Sequence, residues 1–405
     1  MWTIGFVEPC SPMNQMRLNR TPTRIFTLTF CLGISLIAGH AIAVDRAEVQ
    51  ETKPPGKLLR KLDRENIKSR RWFRFSDTYF RWWGGAKTGS LPKGVSVSPS
   101  GEHVYVTNFG YRNKNNVYRY DPKDLSVQAR ANYEGLSIES VVSKDGNTVY
   151  VSNFKKRRVE ALDALTLAVK RLYPVGRLPK HFALTPDEKY LLVSNWMDGK
   201  TSVVDTETGE TIKRIPVGEH PRGTAVNHAG TKAYVANFRD WSVSLIDTKT
   251  WEVTKTIRSC NRPRHIAISK DDSKVFVSCY TSSLVQVIDG ETDKQLRRIR
   301  VGRGPKTIEL SKDERFAYTA DYKNNSLSII DTNTWKVKVV PAPLWKASGL
   351  AVSPDDRRIY LTGFDSVNLV VFERFFPGDA ISEPGPDGPS GECRRFNSEA
   401  CFKFP

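Results

Sequence analysis

From residue 93 to residue 372, apolar and polar positions alternate in short runs, and the set of runs recurs with a period near 42 residues. The register is clearest at Pro179, Pro221, Pro263 and Pro305, each 42 residues after the last. A copy opens with Pro and a basic residue, then an apolar alternation such as His181-Phe-Ala-Leu-Thr185. A polar turn, a Tyr-Val-x-Asn-aromatic stretch, a second turn and an alternating run ending in Ile-Asp-Thr follow. A last stretch such as Thr211-Ile-Lys-Arg-Ile-Pro-Val-Gly218 leads into the next copy. Period-2 alternation rich in β-branched residues predicts four short strands per copy. Asp-Glu-Lys, Asp-Gly-Asn and Asp-Thr-Glu-Thr-Gly clusters mark the turns. A four-stranded repeat of about 40–45 residues is the signature of a propeller blade. Seven copies therefore predict an all-β, seven-bladed β-propeller; a solenoid of parallel strands would need shorter coils.

The second strand of each copy ends in a recognisable string. The seven are Tyr105-Val-Thr-Asn-Phe109, Tyr150-Val-Ser-Asn-Phe154, Leu192-Val-Ser-Asn-Trp196, Tyr234-Val-Ala-Asn-Phe238, Phe276-Val-Ser-Cys-Tyr280, Tyr318-Thr-Ala-Asp-Tyr322 and Tyr360-Leu-Thr-Gly-Phe364. Over residues 80–372 the chain resembles the YVTN-repeat family of exported bacterial β-propellers. The last three copies depart from that family's pattern, with Cys279, Asp321 and Gly363 in the Asn position. The resemblance implies the fold and leaves the function open, because propellers host many activities.

The seventh copy has strands at 348–352, 358–364 and 368–372 and then runs into Pro/Gly-rich sequence, so it lacks a fourth. The segment Thr78-Tyr-Phe-Arg-Trp-Trp-Gly84 stands before Leu91-Pro92-Lys93 as a fourth strand stands before each other copy. It is expected to complete blade seven and so remove two free edges at the ring seam. A packed N-terminal arm is the alternative.

The flanks divide the rest. Residues 1–43 read as a signal peptide, with Arg17, Arg20 and Arg24 ahead of an apolar run at 25–38 and a small-x-small site at Ala41-Ile-Ala43. That run is shorter than the ~20 residues a membrane span needs. The true start is expected at Met13 or Met16. Residues 44–77 form a charged arm, 78–376 the propeller, and 377–405 a Pro/Gly-rich tail. The protein is expected to be exported, periplasmic or secreted, and monomeric. Export permits disulfides. Cys393 and Cys401 invite a small bridged loop. Cys260 takes the repeat position of Gly218 and Gly302, and Cys279 takes the Asn position at the same end of the blade, which suggests a second bridge. Four cysteines allow three pairings, so spacing alone leaves connectivity open. No Cys-x-x-Cys-His occurs, which excludes covalent c-type haem.

Hairpin geometry then concentrates chemistry at one face. The start of strand one lies beside the end of strand two, and strand one lines the central channel. Cations open strand one in six copies: Lys93, Lys180, Arg222, Arg264, Lys306 and Lys346. Blade two departs, with Ile138 and Glu139. An aromatic ends strand two in all seven: Phe109, Phe154, Trp196, Phe238, Tyr280, Tyr322 and Phe364. Asn108, Asn153, Asn195 and Asn237 precede four of them. The pattern predicts a cationic, aromatic-rich channel mouth for an anionic ligand or polymer. Cations tracking phosphates and rings accepting stacked bases would suit single-stranded nucleic acid; an envelope glycan or lipid is the rival partner. The alternative is structural: aromatics packed between blades and Asn side chains bracing loops. The chain carries 62 basic and 44 acidic residues, a net +18; residues 1–43 hold three and one of these, leaving about +16 after cleavage. Such charge favours an anionic partner without choosing one.

Catalytic signatures are absent: no Gly-x-Ser-x-Gly, Walker loop or His-Glu-x-x-His occurs. No cofactor is expected. His181 and His265 share one repeat position and could hold a metal or haem-like group, or remain channel-lining polar residues. Asp205, Asp247, Asp289 and Asp331 are read as turn caps. A protein-interaction scaffold of the envelope and a lactonase- or lyase-like enzyme or cofactor carrier stay open as other readings.

Overall fold

A computed structural model describes residues 72–110, 115–376 and 379. The signal-like segment, most of the charged arm, the tail and the Cys393–Cys401 pair lie outside the described residues.

Alternation decides the strands. In each blade's second and third strands nearly every position is buried, because blades stack on both faces; Leu191, Leu192 and Val193 are fully buried, as are Val203 and Val204. The fourth strands face outward and stay polar, as in Thr211–Pro216. Blades one to six are four-stranded antiparallel sheets in simple sequence order. Their inner strands are Pro92–Val97, Ser137–Val142, Pro179–Leu184, Pro221–Val226, Pro263–Ile268 and Pro305–Leu310, and Ala347–Val352 is the seventh.

The seam closes as the repeat count requires. Thr78–Lys87 pairs antiparallel with Asn368–Phe375, supplying the outer strand that blade seven lacks. Phe80 is fully buried there, its ring 5.6 Å from Phe316 of blade six. A fifth strand, Trp72–Phe75, lies outside it and was not legible in the sequence, where it falls in the charged arm. Ser76 and Asp77 tie this hairpin to Asp331 and Arg315 of blade six, at 2.6 and 2.8 Å. The described propeller therefore reaches back past Thr78 at least to Trp72, and its N-terminal hairpin spans two blades.

The repeated aspartates cap turns. Asp205 Oδ1 accepts the backbone N–H groups of Glu207 and Thr208, and Asp247 and Asp289 accept the equivalent pairs.

Candidate anion site at the channel mouth

All seven inner strands break register with their neighbours just after their first residue; in blade three the shift falls between Pro179 and Phe182. Such a bulge frees two residues from the ladder and re-aims their side chains. In five blades the first of these is a cation: Lys93, Lys180, Arg222, Arg264 and Lys306. The other two blades place Ile138 and Ser348 there. Lys346 is not a member of this ring. It precedes the strand Ala347–Val352, and it pairs with Asp365 at 2.5 Å. Blade seven has Ala347 where the others have Pro or Ser, so the strand-opening marker that set the register elsewhere is missing.

The third residue of the Tyr-Val-x-Asn string fixes the ring's backbone, a role the sequence reading missed. Thr362 Oγ1 donates to the Lys93 carbonyl at 2.9 Å, Ser152 Oγ to that of Lys180 at 2.8 Å, and Ser278 Oγ to that of Lys306 at 3.0 Å. Each bond runs from one blade to the next. The signal was present: this position is Ser, Thr or Ala in all seven copies.

The aromatics form a second belt around the cations. Trp196, Phe238, Tyr280, Tyr322 and Phe364 follow one another at centroid distances of 5.4 to 6.3 Å, and Phe109 lies 5.5 Å from Phe154. Cations bridge the two remaining gaps. Lys93 Nζ is 4.7 Å from Phe109 and 5.1 Å from Phe364; Lys180 Nζ is 4.0 Å from Phe154 and 5.2 Å from Trp196. Arg222 lies between Trp196 and Phe238, Arg264 against Tyr280, and Lys306 3.7 Å from Tyr322. One Trp196 face is also taken by His220, stacked at 4.5 Å. The rings therefore hold cations in place, which leaves less aromatic surface for stacked bases than the sequence pattern implied.

Asn108, Asn153, Asn195 and Asn237 are buried within the blades. Asn153 accepts Leu136 N–H and donates to Glu134 O and Glu160; Asn195 and Asn237 donate to Ser202 and Ser244. They brace the loop that enters strand one. A Cβ at Gly218 would sit 2.6 Å from Asn237 Cγ, so the loop backbone rests directly on the amide. Gly302 rests on Asp321 in the same way. In blade five both partners of this contact are cysteines, and Cys260 and Cys279 form a disulfide there, Cα–Cα 5.7 Å.

Electrostatics mark the ring as unusual. Lys93, Lys180 and Lys306 are buried, and Arg222 and Arg264 are half-buried. Burial, then repulsion from Arg222 and Arg264, pushes the Lys93 ammonium down to about 7. Burial, then repulsion from the neighbouring ring cations, holds Lys180, Lys306 and Arg264 well below their ordinary values, and burial brings Arg222 to about 10. Glu139 is the carboxylate whose charge acts on all five. Among the described residues no carboxylate lies within ion-pair distance of these cations, Glu139 included. Lys306 donates to Ser348 Oγ at 3.1 Å; the guanidinium groups of Arg222 and Arg264 have no acceptor among the described residues. These heads line a cavity of about 20 Å³, shared with Glu139, His181, His265 and Thr307.

The two histidines meet at the floor of that cavity. His181 Nε2 and His265 Nε2 are 2.8 Å apart. Thr224 N–H donates to His181 Nδ1, so the His181 proton sits on Nε2 and is given to His265. His265 Nδ1–H then donates to the Ile308 carbonyl. Every ring nitrogen is used, by backbone or by the other histidine, and both rings are neutral. Burial pushes His181 down to about 4, and burial with the neighbouring His181 holds His265 well below its ordinary value. Among the described residues no group of three or more His, Cys, Asp or Glu converges on one point. The positive ring beside the pair would also repel a metal ion. The arrangement favours the channel-lining role over the cofactor-holding one. Below the ordinary histidine value of 6.5 the unfolded chain takes up protons that the folded pair refuses. Stability should therefore fall as pH drops from 6.5 toward 4, and His265→Gln should flatten that fall. Denaturant midpoints across that range check it; parallel pH profiles for both proteins would refute it.

The model of the YNCE-like beta-propeller family matches residues 222–373, from the Arg222 blade to the end of blade seven. Among solved structures, a chain titled Kuenenia stuttgartiensis hydrazine synthase is similar, with a TM-score of 0.64 over 71% of this chain and 97% of that one. Its 18% identity carries the fold alone. No curated protein matches the chain. The ring of seven repeats, closed by its own N-terminal strand, makes this chain a seven-bladed β-propeller, and its residues 222–373 are similar to the YNCE-like family.

Proposed function

We propose that the protein is a non-enzymatic binding protein whose cationic channel mouth takes an anionic ligand or polymer, with single-stranded nucleic acid as the polymer tested first. One observation carries the reading: Arg222 and Arg264 bring two guanidinium groups to one cavity with no acceptor for either among the described residues. The two like charges repel each other, and an anion would supply both the opposite charge and the acceptors. The cation–π belt supports the same reading, because it holds five basic side chains in position before any ligand arrives. Export to an oxidising compartment belongs to the proposal and draws support from the Cys260–Cys279 disulfide.

The test is a titration of the protein with labelled single-stranded DNA, duplex DNA and an anionic glycan at two salt concentrations. Binding that weakens steeply with salt is expected, since each phosphate neutralised adds about 0.7 to the slope for a single strand. Preference for the single strand supports the nucleic-acid version. Equal affinity for all three reduces the site to general polyanion attraction. No binding at low salt overturns the proposal.

A further inference from the structure

Each inner strand frees two residues at its bulge, and the second of them builds the layer beside the cations. Glu139, His181, His265 and Thr307 take that position in blades two, three, five and six, and all four line one cavity with Lys180, Arg222, Arg264 and Lys306. The other three blades have Gly94, Gly223 and Gly349 there. A Cβ at Gly94 would lie 2.6 Å from Glu139 Oε2, and one at Gly223 2.6 Å from the Arg264 carbonyl, so neighbouring blades close in where these glycines stand. The space that remains is about 20 Å³, against the roughly 10–15 Å³ that one water needs on the same measure. It suits a single atom little larger than a water. A phosphate, sulfate or carboxylate, with several heavy atoms, meets these cations only from the mouth.

The lining gives more hydrogen bonds than it accepts. Arg222 and Arg264 have no acceptor among the described residues, and Lys180 Nζ meets only the rings of Phe154 and Trp196 there. Lys180 and Lys306 are themselves more than nine-tenths buried. The histidine nitrogens are already used, and Thr307 Oγ1 donates to the Ser348 carbonyl at 2.7 Å. Glu139 is the one carboxylate in the lining. A water must donate its two hydrogens as well as accept, whereas these donors suit an occupant that only accepts.

Charge sets the valence. Arginine keeps its proton in proteins, while a buried lysine can shed its own. Burial with the neighbouring cations holds Lys180 and Lys306 well below the ordinary value. Against an ionised Glu139, the two guanidinium groups leave one positive charge over. One monovalent ion balances it.

Resting on the anion-binding reading above, we propose that this cavity is a seat for a single halide ion, held between Arg222 and Arg264 with Lys180 and Lys306 as further donors. Larger anions act on the same arginines from the mouth.

The experiment follows the chloride NMR linewidth of a sodium chloride solution with and without the full chain, and titrates the same preparation with labelled single-stranded DNA. Chloride exchanging with the seat should broaden the line. Bromide should remove the excess, and methanesulfonate, a monovalent anion of several heavy atoms, should compete poorly. Halving the excess should take about tenfold less bromide than methanesulfonate, a ratio that 1.4 kcal/mol of differential binding produces. Thr307→Leu fills the cavity, keeps all five basic side chains and should abolish the excess. Arg264→Gln removes a fork without adding bulk and should abolish it too; thermal midpoints check that both variants fold. Broadening that the two competitors remove equally, or that survives in either folded variant, comes from surface cations and overturns the seat. No excess broadening together with salt-sensitive DNA binding overturns the seat and leaves the polyanion reading standing. Broadening that meets both controls, without DNA binding, keeps the seat and overturns the polymer. Neither signal overturns both.

Discussion

Arg264→Met should make the protein more stable and abolish its affinity for anions. Desolvation and the neighbouring Arg222 hold the Arg264 guanidinium well below its ordinary value, so the folded state carries this charge at a cost the unfolded chain does not bear. Methionine fills similar space and keeps contact with Tyr280, which lies 5.4 Å from the guanidinium carbon. Replacing buried charges by apolar groups of like volume has stabilised other proteins by about 1–4 kcal/mol. The same substitution removes one of the two unpaired forks at the cavity, so binding is lost as stability rises. This is the trade expected where a strained site serves a ligand. Thermal midpoints measured with and without inorganic phosphate read both effects. Saturating phosphate should raise the wild-type midpoint, through about 2.7 kcal/mol of added stability at a hundredfold excess over Kd, and leave the variant unchanged. A lowered midpoint in Arg264→Met would mean that the cation stabilises the ring and that no anion is needed to relieve it.

The second large effect lies at the seam. Phe80→Ala should cost about 3–5 kcal/mol, the usual range for a buried phenylalanine. Phe80 is fully buried and stands between Phe73, stacked at 5.3 Å, and Phe316, edge-on at 5.6 Å. It is the point where the N-terminal strand, blade seven and blade six meet. Loosening it frees the edge of Asn368–Phe375, whose unpaired backbone groups then invite pairing with another chain. Urea unfolding with light scattering measures both consequences. A loss below about 1 kcal/mol would mean that the ring closes without this strand and that the N-terminal hairpin is an accessory.

Much of this was legible in the chain. Alternation at period 2, repeated seven times, determined the blades, because each strand must present one face to each neighbouring blade. Counting strands determined the seam: three in the last copy and one spare before the first. The Cys260–Cys279 pair was legible because both residues break the repeat at positions that other blades fill with a Gly–Asn contact. The register of blade seven was not legible, since Ala347 replaces the marker residue and Lys346 imitates a ring cation. The strand Trp72–Phe75 escaped notice because it has no counterpart in the repeat.

The sequence by itself determined which residue types recur at the channel mouth. It could not determine what they touch, because their partners come from other blades. Only the ring packs Lys93 between aromatics of blades one and seven, sends the asparagines into the blade interior, and brings Glu139, His181 and His265 together beneath Arg222 and Arg264. The physical reason is the closure itself. A repeat fixes each blade through local alternation, whereas charge repulsion, cation–π contact and cavity size at the axis depend on all seven blades converging at once.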